Sequence, residues 1–279
     1  MQTGPALAVA LVVLALSAAV ITQYACLGHG RAVLTASTRA VVQLALVSLV
    51  LVAVVRSLPL TLLFVLSMFA VASWTASRRI TGSGGTSSGG TSSGGTGSGG
   101  TGSGGTNSGG TRSGGTGSGV SWSAALPVGL GPLPVVLGLL LAGIVPAEGI
   151  AVVPVAGILI GGAMTATALA GRRAVDELVV RRGEVEAGLA IGLLPRDAAI
   201  EVCRAVAGQA LVPALDQTRT VGLVALPGAF VGTLLGGATP VEAGAVQVLI
   251  LIALLAVQAV AVAVTVELVA QGTLSPRSA

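Results

Sequence analysis

The sequence predicts an all-α polytopic membrane protein with about seven transmembrane helices, its N-terminus outside and its C-terminus inside. Three observations carry this expectation. Hydrophobic residues make up 53% of the 279-residue chain and charged residues only 9%, whereas a soluble domain is about 25% charged. Charge lies almost wholly between seven uncharged intervals: Met1–Gly30, Ala40–Val55, Ser57–Ser77, Val120–Ala147, Gly149–Gly171, Thr220–Val241 and Ala243–Val266. A bilayer core takes about 20 apolar residues per helix, and flanking residues extend a shorter run by snorkelling. The third observation is that all fourteen basic residues are arginine and are unevenly placed. With an outside N-terminus and seven crossings, only Arg56 faces outward, Arg219 sits at the boundary, and the other twelve face the cytoplasm. That is the sense of the positive-inside bias.

The first three spans are expected at Pro5–Leu27, Thr35–Val55 and Leu58–Ser77, forming a membrane domain over residues 1–80. Met1–Tyr24 lacks a positively charged start, so it is read as a retained helix rather than a signal peptide. Thr81–Gly119 then repeats T-x-S-G-G in seven complete copies and a truncated eighth, and holds 19 of the 42 glycines. Such a segment has nothing to bury and is expected to be a disordered insertion in a cytoplasmic loop. Spans four and five are expected at Ala124–Val145 and Ile150–Ala170, and spans six and seven at Thr220–Gly237 and Val241–Ala270. Together they make a second membrane domain over residues 120–279. Between spans five and six lies the only extended charged stretch, residues 172–218, read as two amphipathic cytoplasmic helices broken near Gly192–Pro195. Arg173 and Glu177 have the spacing of an i,i+4 ion pair.

Residues 186–198 read EAGLAIGLLPRDA. Gly192 can take the left-handed conformation that ends a helix, and Pro195 is placed to start the next. The result would be a helical corner projecting from the membrane. Glu186, Ala187, Gly192, Pro195 and Ala198 resemble the cytoplasmic "EAA" loop with which ABC permeases meet their ATPases; an ordinary helical hairpin is the alternative. In span six, Pro227 removes a helix hydrogen bond near mid-membrane. Gly228, Gly232 and Gly236 fall on one face, either for close helix packing or along a transport pathway.

Residues 211–240, LVPALDQTRTVGLVALPGAFVGTLLGGATP, followed by EAGAVQ from Glu242, resemble the FetB-type iron-export ABC permeases and their plant relatives linked to aluminium tolerance. TRAVVQL at Thr38–Leu44 and PVAGILIGGAM at Pro154–Met164 add to the likeness, which covers nearly all the chain except Thr81–Gly119. The resemblance implies a homodimeric permease of a bacterial plasma membrane, exporting iron or another metal and joined to a separate ATPase. It also implies that Arg39, Gln43, Pro213, Asp216, Gly222, Pro227, Gly228, Gly232 and Gly236 belong to the family motif and a possible transport pathway. Another small solute, such as a nucleotide sugar, remains an alternative cargo. An ATP-independent secondary transporter with Asp216 or Glu267 as a proton site is the alternative mechanism.

The composition excludes several classes. Without lysine the chain cannot supply the phosphate-binding Lys of a P-loop, so ATP and magnesium are expected on the partner ATPase, with no cofactor on this chain. Aromatic residues are 2% of the chain, too few for a base-stacking platform despite a pI of about 10.4, so no nucleic-acid partner is expected. Membrane lipid is. Cys26-x-x-His29 has a suggestive metal-ligand spacing, but the chain holds one His and two Cys, short of the three or four ligands a tight transition-metal site needs. Met68 and Met164 are read as packing residues, and no catalytic constellation sits at a plausible depth. Cys26 and Cys203 are both expected on the reducing cytoplasmic side, without a disulfide. Gln43 and Gln258, polar residues within apolar runs, either bond a neighbouring helix or touch cargo. Asp216 and Arg219 are spaced to pair at the cytoplasmic mouth of span six, and Glu267 is expected to snorkel.

The arginine distribution makes the topology testable. Reporter fusions at Met1 and Ala279 should mark opposite sides of the membrane; both on one side would rule out seven spans.

Overall fold

A computed structural model describes residues 12–20, 30–54, 57–81 and 124–274. Among them every regular element is helical, apart from one isolated bridge between Val221 and Ala225. Residues 12–20 form α1. Then come α2 (Gly30–Val54), α3 (Leu58–Thr81), α4 (Ala125–Leu130), α5 (Pro132–Leu141), α6 (Gly149–Val180), α7 (Arg182–Ala190), α8 (Pro195–Ala207), α9 (Val212–Thr220), α10 (Gly228–Leu235) and α11 (Pro240–Ala270). A 3-10 turn, Gly208–Leu211, joins α8 to α9. The glycine-rich repeat beyond residue 81, the Cys26-x-x-His29 pair and most of the first expected span lie outside the described residues.

Four stretches are long and apolar enough to cross a membrane by length and composition: Pro59–Ile80, Gly149–Val180, Pro195–Thr220 and Pro240–Ala270. Shorter apolar helices cover Leu34–Leu49 and Ala125–Leu141. Pro195–Thr220 differs from the others because it carries Arg196, Asp197, Glu201, Arg204, Asp216 and Arg219 and changes pitch at the 3-10 turn. Charges are costly at bilayer depth. Its first half is amphipathic: Ala198, Ala199, Val202 and Cys203 are buried, while Glu201 and Arg204 are exposed.

The helices differ from the sequence expectations at three places. Span five runs past Ala170: α6 continues for 32 residues to Val180, about 48 Å at 1.5 Å per residue. It outreaches the roughly 30 Å hydrocarbon core, so Arg172 and Arg173 stand on the same helix rather than opening a new one. Span four stops early, at Leu141, where Gly143 turns left-handed with φ +67°. Span six is not a helix with a central proline. Its chain leaves helix at Thr220, turns through Gly222 (φ +82°) and resumes only at Gly228. Pro227 is the extended residue before α10 (φ −65°, ψ 151°). An eight-residue helix reaches only about 12 Å, too short to cross.

The chain divides into two compact units, Met1–Leu63 with Glu148–Ile150, and Phe64–Ala147 with Ala151–Ala279. In the smaller unit, α2 leaves Val41, Val42, Leu44, Leu46 and Leu49 exposed, an apolar surface suited to lipid. In the larger, one core joins Ala72, Ala76 and Ile80 of α3, Val128 of α4, the face of α6 from Ala156 to Val175, Cys203 of α8, and α11 from Leu254 to Val269. Alanine dominates this core, which lets helix backbones approach closely. A close approach to backbone is at Gly131, between α4 and α5. A Cβ there would lie 2.8 Å from the Val257 carbonyl oxygen of α11.

That contact is with backbone and cannot swing aside. Gly131→Ala should therefore destabilise the protein by about 1–3 kcal/mol, as overpacking does. Gly138→Ala, where a Cβ meets nothing within 4 Å, should not. Thermal unfolding in detergent checks both; equal melting would mean that the junction yields.

Candidate functional site

The corner between α7 and α8 is built by its backbone. Gly192 has φ +95°, a conformation open to glycine and resisted by β-branched residues. It closes α7 with the paired bonds of a Schellman cap: Gly192 N–H to the Leu189 carbonyl and Leu193 N–H to the Gly188 carbonyl, both at 3.0 Å. Leu194 is extended and Pro195 starts α8. A Cβ at Gly188 would lie 3.1 Å from that of Ala198, so the two helices cross closely on small residues. Ala198 is buried inside the corner, while Glu186, Ala187, Gly192 and Pro195 are exposed on its outside. Ile191 and Leu194 stand exposed beside them.

Ion pairs brace this corner. Glu186 accepts from Arg182 at 2.9 Å, and Glu177 pairs with Arg181. Arg173 does not pair with Glu177 as its spacing suggests; it donates to the side-chain oxygen of Gln209 at 2.9 Å. The i,i+4 partner of Glu177 is the arginine on its C-terminal side, the better orientation on a helix. One tie that spacing along the chain does not suggest joins two distant helices. Arg196, in the first turn of α8, grips Glu267 of α11 as a two-pronged fork, Nε to Oε1 at 2.5 Å and Nη2 to Oε2 at 2.7 Å. Gln271 also donates to Glu267, at 2.7 Å. Glu267 therefore has protein partners rather than simply snorkelling. The fork matches carboxylate geometry, but a separation of 71 residues leaves no local signal for it.

The motif residues part into groups. Arg39 and Gln43 lie four apart on α2, both exposed, in the smaller unit. Asp216 and Arg219 approach to 3.6 Å, largely exposed, on α9. Gly222 and Pro227 shape the turn before α10. Gly228 and Gly232 have open space where a Cβ would stand, and Gly236 meets only the carbonyls of its own last turn. No helix of this chain packs on that face among the described residues; the close packing is instead at Gly131 and at Gly162, against Leu254 and Gln258. Pro227 has no side-chain acceptor for the N-terminus of α10. Gln247 of α11 supplies one, accepting from the Phe230 N–H at 3.2 Å. At the head of α11, Thr239 and Glu242 form a reciprocal capping box, legible as T-x-x-E.

A cleft of about 280 Å³ opens between α6, α9 and α11. Pro213 and Gln217 come from α9, Gly161 and Thr165 from α6, and Gln258 from α11. It gathers Pro213 with two amides and a hydroxyl. Of these only Gln258 was singled out by its depth in an apolar run.

The profile described as uncharacterised protein family UPF0014 matches residues 5–92 and 106–274. The UPF0014 membrane protein STAR2 of Oryza sativa subsp. japonica is 41% identical over 100 residues, 36% of this chain and 35% of the relative. The protein ALUMINUM SENSITIVE 3 of Arabidopsis thaliana is 38% identical over 99 residues, 36% of each. The probable iron export permease protein FetB of Escherichia coli K12 is 32% identical over 136 residues, 49% of this chain and 52% of the relative. The matched stretches thus span between about a third and a half of these relatives. No solved structure matches.

The fork invites a direct test. Arg196→Glu or Glu267→Arg alone should raise amide hydrogen exchange across residues 182–200, and the charge-swapped double variant should restore protection. Unchanged exchange in both single variants would mean that packing alone holds the corner.

Proposed function

Because the chain belongs to the uncharacterised protein family UPF0014 and is an integral membrane protein, we propose that it is the permease subunit of an ABC transporter that exports iron or another metal. It works as a homodimer in a bacterial plasma membrane, and residues 172–218 face the cytoplasm. ATP and magnesium are bound by a separate ATPase subunit, since the chain has no lysine for a P-loop.

The observation that carries this reading is the α7–α8 corner. It presents an exposed face of Glu186, Ala187, Gly192 and Pro195, and the next residue, Arg196, ties it to Glu267 of α11. A face that can meet a moving ATPase and a tie to a long apolar helix are what a coupling element requires. ATP-driven closure of the ATPase pair pushes the corner, the fork passes the displacement to α11, and the bundle changes the side on which it is open. The same fork argues against Glu267 as a proton carrier in an ATP-independent transporter, because its carboxylate already accepts from Arg196 and Gln271.

Two measurements test the proposal. In vesicles holding the permease and its ATPase, iron movement should require ATP; equal flux without ATP would favour a secondary transporter. In the same system, Glu186→Arg with Gly192→Val should leave the permease inserted but abolish its stimulation of ATP hydrolysis. Valine fits the open space at Gly192 but resists φ +95°, so the corner is misdirected without disturbing an apolar helix. Full stimulation by the double variant would remove the corner from the mechanism.

A further inference from the structure

We infer that the cleft between α6, α9 and α11 binds a metal cation that keeps its shell of water, held through hydrogen bonds from that shell to Thr165, Gln217 and Gln258. The inference rests on the permease reading and specifies the chemical form of the cargo.

The depth of the polar groups comes first. Thr165 stands near the middle of α6 (Gly149–Val180) and Gln258 past the middle of α11 (Pro240–Ala270). Both helices are long and apolar enough to span a membrane. Polar side chains at such depth mark interfaces or water-lined pathways, since lipid cannot satisfy them. The Gln217 and Gln258 amides line the cleft and make no side-chain hydrogen bond among the described residues. The Thr165 hydroxyl donates to the Gly161 carbonyl at 3.0 Å, which leaves its oxygen free to accept. Three side chains with acceptor oxygens therefore line one cleft.

Its size and donor set decide what fits. About 280 Å³ accommodates on the order of nine waters at 30 Å³ each, room for an ion with six. The lining offers neutral amide and hydroxyl oxygens, with no carboxylate, imidazole or thiolate. Three neutral oxygens cannot replace the octahedral water shell of a small divalent ion, which dehydrates reluctantly, nor do they form the nitrogen and sulfur set that soft transition-metal sites use. They can accept hydrogen bonds from bound water, whose protons the ion polarises. On the proposed topology the cleft lies on the cytoplasmic half, where cargo for export is collected.

Gly161 supplies the test. It lines the cleft, and a Cβ there would meet no atom within 4 Å, so a larger side chain fills the space without displacing a wall. The adjacent Gly162 has no such room, because its Cβ would lie 2.3 Å from Leu254 Cδ1.

The experiment uses full-length permease in detergent, titrated calorimetrically with iron(II) and with hexaamminecobalt(III), whose six ammonia ligands do not exchange. Hexaamminecobalt(III) should bind and compete with iron(II). Gly161→Leu should abolish both, Gln258→Leu should weaken both roughly tenfold, and Gly138→Ala should change neither. If Gly161→Leu fails to fold by circular dichroism, Gln217→Leu with Gln258→Leu carries the test. Iron(II) binding that excludes hexaamminecobalt(III) would overturn the inference in favour of direct ligation. Binding that survives the Gly161 and Gln258 changes would place the ion elsewhere. Lost self-association of Gly161→Leu with unaltered ion binding would make the cleft a seam between copies. No ATPase is present, so failure here leaves ATP-driven export standing, and failure of ATP-driven export leaves this result standing.

Discussion

One uninterrupted helix sets the position of the elements that pack on it in the larger unit. Helix α11 runs 31 residues from a capping box at Thr239 and Glu242 to Ala270, about 46 Å. It satisfies its own backbone throughout, as a segment in hydrocarbon must. Its apolar residues lie all round the helix, so it can be surrounded. What lets neighbours come close is the absence of side-chain bulk where they touch it: Gly131 on Val257, and Gly162 on Leu254. Shorter pieces that could not span or cap themselves borrow from it. Gln247 closes the N-terminus of α10, and Glu267 holds the first turn of α8.

Much of this was legible in the sequence, and the failures have a common cause. The apolar runs marked α2, α3, α6 and α11, because each helix satisfies its own backbone and needs only composition and length to announce itself. The corner was legible because Gly192 and Pro195 act locally, one through its own φ and the other through its missing N–H. Span six failed because composition cannot distinguish a helix from an apolar turn. Thr220 to Gly237 is uncharged throughout, yet Gly222 and Pro227 stop helix formation there, leaving α10 as eight residues. The pairing of Arg173 failed because two acceptors competed for it, and Gln209 wins through the tertiary packing of the 3-10 turn. The fork from Arg196 to Glu267 and the cleft shared by Thr165, Gln217 and Gln258 are long-range facts. They depend on which helix faces precede which in space, and a single sequence carries no record of that.

The glycines of α10 show the same limit from the other side. Gly228, Gly232 and Gly236 have the spacing of a close-packing face, but their added Cβ atoms meet no other helix. The packing glycines lie instead at Gly131, between α4 and α5, and at Gly157 and Gly162 in α6. A small-residue spacing states what a face permits, and only the neighbour's position decides whether the permission is used.

The polar residues of α11 connect these threads. Gln247 and Gln258 are 11 residues apart, close to three full turns, so they share a face. Glu267 follows Gln258 by nine, two and a half turns, and faces the opposite way. One side of the helix therefore carries the α10 cap and the cleft, and the other carries the tie to the corner. Along the axis the cleft and the tie are only about 14 Å apart. An α-helix hydrogen-bonded along its whole length resists stretching, so a displacement applied at Glu267 arrives at Gln258 nearly undiminished. Because the two residues face opposite ways, rotation about the helix axis would move them in opposite senses. A push from the corner that turns α11 would thus shift the Gln258 wall relative to Thr165 and Gln217, which stand on other helices. Three side chains that line one cleft in one position of α11 would part in another, and that is the property required of a site that must first hold its cargo and then release it.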